Sequence, residues 1–366
     1  MNAYSARHIH IPGFSRRVLL TGGAMSAMAV LAACAGTPGS QESSPAANTS
    51  SSSAAPSPSQ SVLKSDVVPT ELEESLGSGQ ADGVFPRTVK HHQGETTISA
   101  APAKVVIIST GQADAMLALG MCPTGSTTAA GAEGPVPQYL KDAYPDQASA
   151  IAAITTVGSR TEPDIEAIGA IGPDLILTNI AGKDDADTLY KNLSAIAPTV
   201  VMRGTGQFWK IDFLLLGDAL GKRQAAQSVL DELTAEASKA GSGLTSAGTV
   251  SLLRKNGEKL RVFGPLSFAG SVVADMGLQR PDTQQFKDGV SHELSSETLD
   301  QADGEWLFYA VQGGKDEELT GQALWESLKA VGAGHAVKVD DDPFYLNAGP
   351  TAARFVRDQI VKAVSA

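Results

Sequence analysis

Val105-Val106-Ile107-Ile108 carries no polar residue on either side of its pleat, so as a strand it must be covered on both faces. That requirement argues against an open antiparallel sheet with one wet face and points to a parallel strand between helical layers. Gln112 to Leu119 follows with helical character and stops at Gly120, so strand and helix are joined through Ser109-Thr110-Gly111. Such a junction presents backbone N–H groups and two hydroxyls at the carboxyl edge of a sheet, where open α/β folds bind ligands. Residues 109–112 are therefore a candidate wall of a site, with Ser109 and Thr110 as candidate ligand-binding residues.

The alternation recurs along the chain. Residues 157 to 179, VGSRTEPDIEAIGAIGPDLILTN, read as a helix capped by Thr161, with Pro163 in its first turn and Ile165, Ile168 and Ile171 facing inward. A strand from Asp174 to Thr178 follows, and another from Thr199 to Met202 comes after the break at Pro198. Residues 209–243 then interrupt the pattern with a long helical stretch. Ala225, Val229, Leu233 and Ala237 recur every four residues up to Gly241, and Lys222 to Ala240 would span roughly 28 Å, enough for a strut between lobes. Beyond it, Asn256-Gly257 between Thr249–Arg254 and Leu260–Phe263 predicts a hairpin. A helix near Gly270–Met276, a helix start at Ser295-Ser296-Glu297, a strand Trp306–Val311 and a terminal helix Thr351–Val364 complete the chain. SSETLDQADGEWLFYAV repeats the helix-then-strand order of EPDIEAIGAIGPDLILTN. The expected fold is α/β, with two α/β lobes, 85–208 and 244–366, joined by a single long helix within 209–243 and a ligand cleft between the lobes.

The first 75 residues have a different character. Arg7, Arg16 and Arg17 precede an apolar run that ends in Leu31-Ala32-Ala33-Cys34. That run, about 16 residues, falls short of the roughly 20 needed to cross a bilayer, so 1–33 reads as an export signal. Its end resembles a bacterial lipobox, which implies cleavage before Cys34 and lipid attachment to that thiol. Ser15-Arg16-Arg17 also resembles a twin-arginine signal, although Leu20 stands where such signals often carry Lys, so the export route stays open. Residues 40–61 contain ten Ser together with Pro45, Pro56 and Pro58, a composition that cannot bury a core, and 34–75 is expected to be a tether. Lys and Arg total 28 against 40 Asp and Glu, the wrong sign for coating nucleic acid. Two cysteines cannot form a disulfide framework, and Cys122 beside Met121 reads as a buried, inert thiol.

Residues 85 to 366 resemble the substrate-binding proteins of bacterial ABC importers for ferric siderophores and cobalamin. The resemblance is carried by VVIISTGQADAMLALG, VGSRTEPDIEAIGAIGPDLILTN, AIAPTVV, LRVFGPLSFAGSVVADMGLQRP and DDPFYLNAGPTAARFVRDQI, the last two similar to actinobacterial members that carry iron complexes. It implies an exported receptor, lipid-anchored on the outer face of the cytoplasmic membrane, that captures a ferric siderophore and hands it to an ABC permease. Such a receptor would act as a monomer, without enzymatic activity, cofactor or protein ligands to the metal. Arg and aromatic side chains suit an anionic organic shell. On that ground Arg160, Arg203 and Trp209 of the first lobe and Arg254, Phe268, Tyr309 and Tyr345 of the second are expected around the cargo. The resemblance also implies that Glu166 and Glu297 dock against permease arginines. Haem or cobalamin remains an alternative cargo within the same fold. A receptor for bare metal ions would need converging His and carboxylate ligands, whereas His91-His92, His292 and His335 are scattered. A lipoprotein hydrolase would need a nucleophile motif, and no G-x-S-x-G, P-loop or G-x-G-x-x-G after the first strand is present.

Overall fold

The computed structural model describes residues 67–365 apart from 110, 130, 131, 133, 184, 245, 246, 287 and 288. The export signal, Cys34, residues 34–66 of the expected tether and Thr110 lie outside the described residues. The rest of that segment, 67–75, is no tether: Val68 and Leu72 are buried in the main core, so apolar burial fixes the chain earlier than its composition suggests.

An antiparallel hairpin, β1 (Arg87–His91) and β2 (Gly94–Ile98), precedes the first lobe. Its buried Arg87 donates to the backbone carbonyls of Ala81, Val84 and Asp218 and lies 3.5 Å from the Asp218 carboxylate, pinning the hairpin to the helix that carries Asp218. The lobe itself is β3 (Val105–Ile108), α1 (Gln112–Ala118), β4 (Gly125–Thr128), α2 (Gln138–Ala143), α3 (Ala148–Ala152), β5 (Thr155–Ser159), α4 (Ile165–Ile171), β6 (Leu175–Asn179), α5 (Ala186–Ser194) and β7 (Thr199–Met202). Its sheet runs β5-β4-β3-β6-β7, parallel throughout. Strand alternation divides β3 between two cores. Val105 and Ile107 join the cluster that continues into the second lobe, whereas Val106 and Ile108 pack with Ile168 and Leu193 on the other face.

The helix expected to be capped by Thr161 begins later. Residues 158–163 fold back on themselves through a Gly158–Pro163 bridge, with the Ser159 N–H donating to the Glu162 carbonyl at 3.1 Å. Gly158 has φ +82°, and a Cβ there would lie 2.5 Å from the Glu162 oxygen, so only glycine permits the reversal. Asp164 is consequently the cap, accepting the Ala167 N–H at 2.9 Å.

The segment between the lobes holds two helices. α6 (Trp209–Ala219) is buried along nearly all its length, as its apolar sequence dictates, and α7 (Arg223–Ser242) is the 20-residue strut with Ala226, Leu230, Leu233 and Ala237 buried. Gly221 at φ +70° turns the chain between them. The second lobe comprises β8 (Val250–Asn256), β9 (Lys259–Phe263), α8 (Phe268–Asp275), β10 (Ser291–Leu294), β11 (Trp306–Gln312), α9 (Glu317–Thr320), α10 (Lys329–Gly332), β12 (Ala336–Lys338) and α11 (Pro350–Val364). Its sheet order is β10-β9-β8-β11-β12, with β8, β11 and β12 parallel and β9 antiparallel to both neighbours. The internal likeness read from sequence is realised: β6 lies beside β3, and β11 occupies the equivalent place beside β8.

Side chains tie the lobes together directly. Asp114 of α1 accepts the N–H groups of Thr351 and Ala352 at the start of α11, both at 2.8 Å. Trp209 Nε1–H donates to Ser271 Oγ of α8 at 3.0 Å, and Lys210 pairs with Asp275 at 2.7 Å. Among the described residues no helix is long and apolar enough to cross a membrane.

Candidate functional site

Strand order fixes where a ligand can enter. From β3 the chain moves outward through β4 and β5, then returns to the other side of β3 with β6 and β7, so the topological switch point lies between β3 and β6. Ser109 and Asn179 stand at the carboxyl ends of those two strands, and Asn179 Nδ2 donates to Ser109 Oγ at 2.6 Å. A cavity of about 660 Å³, mouth included, opens there between the lobes.

Close approach of three loops makes the walls, and glycine is required at each. A Cβ on Gly111 would lie 2.5 Å from the Ala348 carbonyl oxygen, one on Gly206 would lie 2.9 Å from the Phe268 nitrogen, and one on Gly204 (φ +81°) would overlap Asn179. The second lobe contributes Phe268 at the start of α8 and residues 345–349 ahead of α11. Trp209 meets Phe268 edge-on at 5.3 Å, and Tyr345 is steadied by its hydroxyl bond to the Phe308 carbonyl at 3.1 Å.

The polar groups of the wall are mostly neutral and partly unused. Both side-chain amide atoms of Gln112, Oδ1 of Asn179 and the Thr205 hydroxyl are buried without a partner. Buried polar atoms normally find partners, so this cluster is an arrangement waiting for donors and acceptors from outside the chain. Asp212 is the acid of the wall. It accepts the N–H groups of Arg203 at 3.0 Å and Gly204 at 2.7 Å, which folds the 203–206 loop over the cavity. Burial nevertheless dominates and pushes its carboxyl up to about 7.

The structure brings Ser109, Trp209, Phe268 and Tyr345 together in the wall. The arginines stand outside it. Arg254, at the carboxyl end of β8, makes two bonds to the Asp341 carboxylate, at 2.6 and 2.7 Å, and its guanidinium lies 5.8 Å from the Tyr345 ring. Arg203 covers the Phe208 ring at 4.1 Å and lies 3.6 Å from Glu73. Arg160 follows β5 and reaches across to the Ala181 carbonyl at 2.9 Å. Tyr309 does not face the cavity, which corrects the sequence reading: alternation along β11 sends Phe308 to the inter-lobe core and Tyr309 to the opposite face, edge-on to Trp325 at 5.0 Å. Asn179, Thr205 and Asp212 were not anticipated, whereas Gln112 falls within the 109–112 junction expected to form a wall. For Asn179 the available signal was positional, since it is the polar end of an apolar strand.

Glu166 lies in the first turn of α4 and Glu297 in the first turn of the 3₁₀ helix Ser296–Ala302, which starts with a Ser295–Thr298 capping box. Both are exposed and stand outside every ion pair of the described residues. Cys122 is half-buried, and burial raises its thiol pKa. His91 and His92 occupy the hairpin, His335 stacks on Trp306 at 4.0 Å, and His292 packs against Phe286. Among the described residues no group of three or more His, Cys, Asp or Glu could hold a metal ion.

The profile of the periplasmic binding protein family matches residues 105–343. A probable siderophore-binding lipoprotein of Bacillus subtilis is 31% identical over 304 residues, covering 78% of this chain and 90% of that protein. A Fe(3+)-citrate-binding protein of the same organism is 28% identical over 309 residues, covering 80% of this chain and 90% of that protein. Among solved structures, the Staphylococcus aureus SirA complex with staphyloferrin B superposes with a TM-score of 0.65 at 23% identity, covering 76% of this chain and 98% of that one, a likeness of fold. With two lobes, a cleft at the switch point and a family profile that spans both sheets, the chain belongs to the periplasmic binding protein family.

Proposed function

We propose that this protein is an envelope receptor that captures a ferric siderophore between its lobes and delivers it to an ABC permease, held at the outer face of the cytoplasmic membrane by a lipid on Cys34. The observation that carries the reading is the inter-lobe cavity, where the amide of Gln112, Oδ1 of Asn179 and the Thr205 hydroxyl stand buried and unpartnered among Trp209, Phe268 and Tyr345. A siderophore presents its own amides, hydroxyls and apolar arms around iron it already coordinates, which matches a wall of neutral donors, acceptors and rings. Relatives named for binding siderophores and ferric citrate support the choice of cargo. The arginines act at the rim in this proposal. Arg160, Arg203 and Arg254 meet the negative charge of an incoming complex, and Arg254 exchanges Asp341 for it.

Trp209 makes the test direct, because it forms part of the wall. Titration with ferric siderophores of several classes, haem and cobalamin should give saturable quenching of tryptophan fluorescence by one siderophore class, diminished in Trp209→Phe. Quenching by haem or cobalamin alone would overturn the cargo, and no response to any would overturn the receptor reading. For delivery, Glu166→Arg with Glu297→Arg should leave cargo affinity unchanged and abolish uptake by cells. Loss of cargo binding in that double variant would instead assign both residues to the fold.

A further inference from the structure

Away from the cleft, the second lobe holds a cation that forms no ion pair among the described residues. Arg280 follows Gln279, whose carbonyl accepts the N–H of Val250, the first residue of β8, at 2.9 Å. Its Nη2 donates to the Phe263 carbonyl and, at 2.8 Å, to Gln284 Oε1. Nε and Nη1 are buried and meet no acceptor. Gln284 is itself fixed, donating to Ser251 Oγ at 2.7 Å and to the Gln301 carbonyl at 3.2 Å, so the guanidinium is held in place with its other two nitrogens buried and unpartnered. Burial lowers the Arg280 pKa to about 10, which leaves the group charged at neutral pH. A buried charge with unfilled donors is strongly unfavourable unless a counter-charge joins it.

Arg280 forms part of the wall of a cavity of about 710 Å³, mouth included, with Pro265, Gly270, Val273, Gln284 and Gln285 among its neighbours. None of its lining residues lines the cleft cavity. Asp282, the acid of this wall, is exposed and stands in no ion pair of the described residues. We propose that this cavity is an anion site separate from the cleft, where Nε and Nη1 of Arg280 donate to a small monoanion, either a halide or a carboxylate. The Phe263 carbonyl held by Arg280 belongs to a residue whose ring packs on Tyr345 at 5.1 Å, so the anion would rest two side chains from the cleft wall.

Chloride NMR line broadening on the purified protein tests this, with Arg280→Met and Arg280→Lys as variants and formate as competitor. The expected result is saturable excess broadening in the native protein, weakened at least tenfold in Arg280→Met and largely kept in Arg280→Lys. Release by formate below the concentration at which chloride saturates assigns the site to carboxylates, and release only above it assigns the site to halides. Equal broadening in Arg280→Met overturns the proposal. Should Arg280→Met fail to fold, crystals of the native protein grown in bromide decide: an anomalous peak at hydrogen-bonding distance from Nε or Nη1 supports the site, and ordered water there overturns it.

Discussion

Asp114→Ala removes the side chain through which one lobe completes a helix of the other. Pro350 opens α11 without an N–H, so Thr351 and Ala352 carry its first two donors, and Asp114 takes both at 2.8 Å. The Tyr139 hydroxyl adds a third bond at 3.3 Å. A buried donor left without a partner costs about 1–3 kcal/mol, so stranding two gives a loss of roughly 2–6 kcal/mol. One effect opposes it. Burial raises the Asp114 pKa, which means that the ionised carboxylate is itself disfavoured in this position, and its removal returns part of that penalty. The net expectation is about 2–4 kcal/mol for alanine. Asn keeps the shape and one acceptor but turns an NH₂ toward the second donor, and should lose about 1–3 kcal/mol. Gly349→Ala approaches the same junction from the second lobe. Its φ of −176° is open to any residue, but a Cβ would lie 2.5 Å from Asp114 Cγ, so the collision alone must push the carboxylate off the helix. Urea unfolding measures the losses, and hydrogen exchange at Thr351 and Ala352 should accelerate in all three variants. A change within about 0.5 kcal/mol for Asp114→Ala, the range of ordinary surface substitutions, would refute the reasoning.

Asp212 sets a pH dependence: its carboxyl is held near about 7 in the fold against an ordinary 3.8, so the native state keeps a proton that the unfolded chain releases. Stability should therefore fall as pH rises from about 4 to about 7 and level off above, by about 4 kcal/mol in all at roughly 1.4 kcal/mol per pH unit. His91 and His92, both lowered to about 4 by burial, act in the opposite sense over an overlapping range, so the difference between the native protein and Asp212→Asn in denaturation at several pH values isolates the effect. A difference that does not vary with pH would sink it. Arg87→Met leaves the buried Asp218 carboxylate without its cation and should destabilise the protein by about 3–5 kcal/mol in the same assay, whereas a neutral result would show the pair to be dispensable. Asp341→Asn frees Arg254 and should tighten binding of anionic ferric complexes several-fold while weakening cationic ones, read by tryptophan quenching. Equal effects on both would remove Arg254 from charge recognition.

What could be read from the sequence is what short-range chemistry decides. The run Val105–Ile108 announced a strand covered on both faces because no arrangement of four apolar residues can do otherwise. Asn256-Gly257 announced its hairpin because the turn needs a positive φ, which Gly257 supplies at +55°. Helix starts were less secure. Thr161 and Asp164 are both competent caps, and the choice fell to Asp164 through the reversal at Gly158, whose φ no local pattern reveals. Tyr309 was misplaced for a similar reason: in the continuous apolar run of β11 both faces are covered, so which face an aromatic takes is fixed only by the neighbours the sheet acquires.

The site was harder still, because its chemistry is set by partners far away in sequence. Arg254 reads as a free cation until Asp341, 87 residues later, closes on it with two bonds. Asn179 reads as an ordinary polar residue until the folded sheet places it at the switch point with Gln112, leaving its Oδ1 and both amide atoms of Gln112 without partners. Charge is visible in a sequence, whereas satisfaction of charge and of hydrogen-bonding capacity is a property of the fold. A search for arginines therefore found groups that the chain already occupies in part, while the groups left open in the cleft were neutral. The same distinction separates the two cavities. In the cleft the unfilled capacity belongs to amides and a hydroxyl, which suits a large polar ligand held by many weak bonds, and at Arg280 it belongs to a single buried cation, which requires a charge.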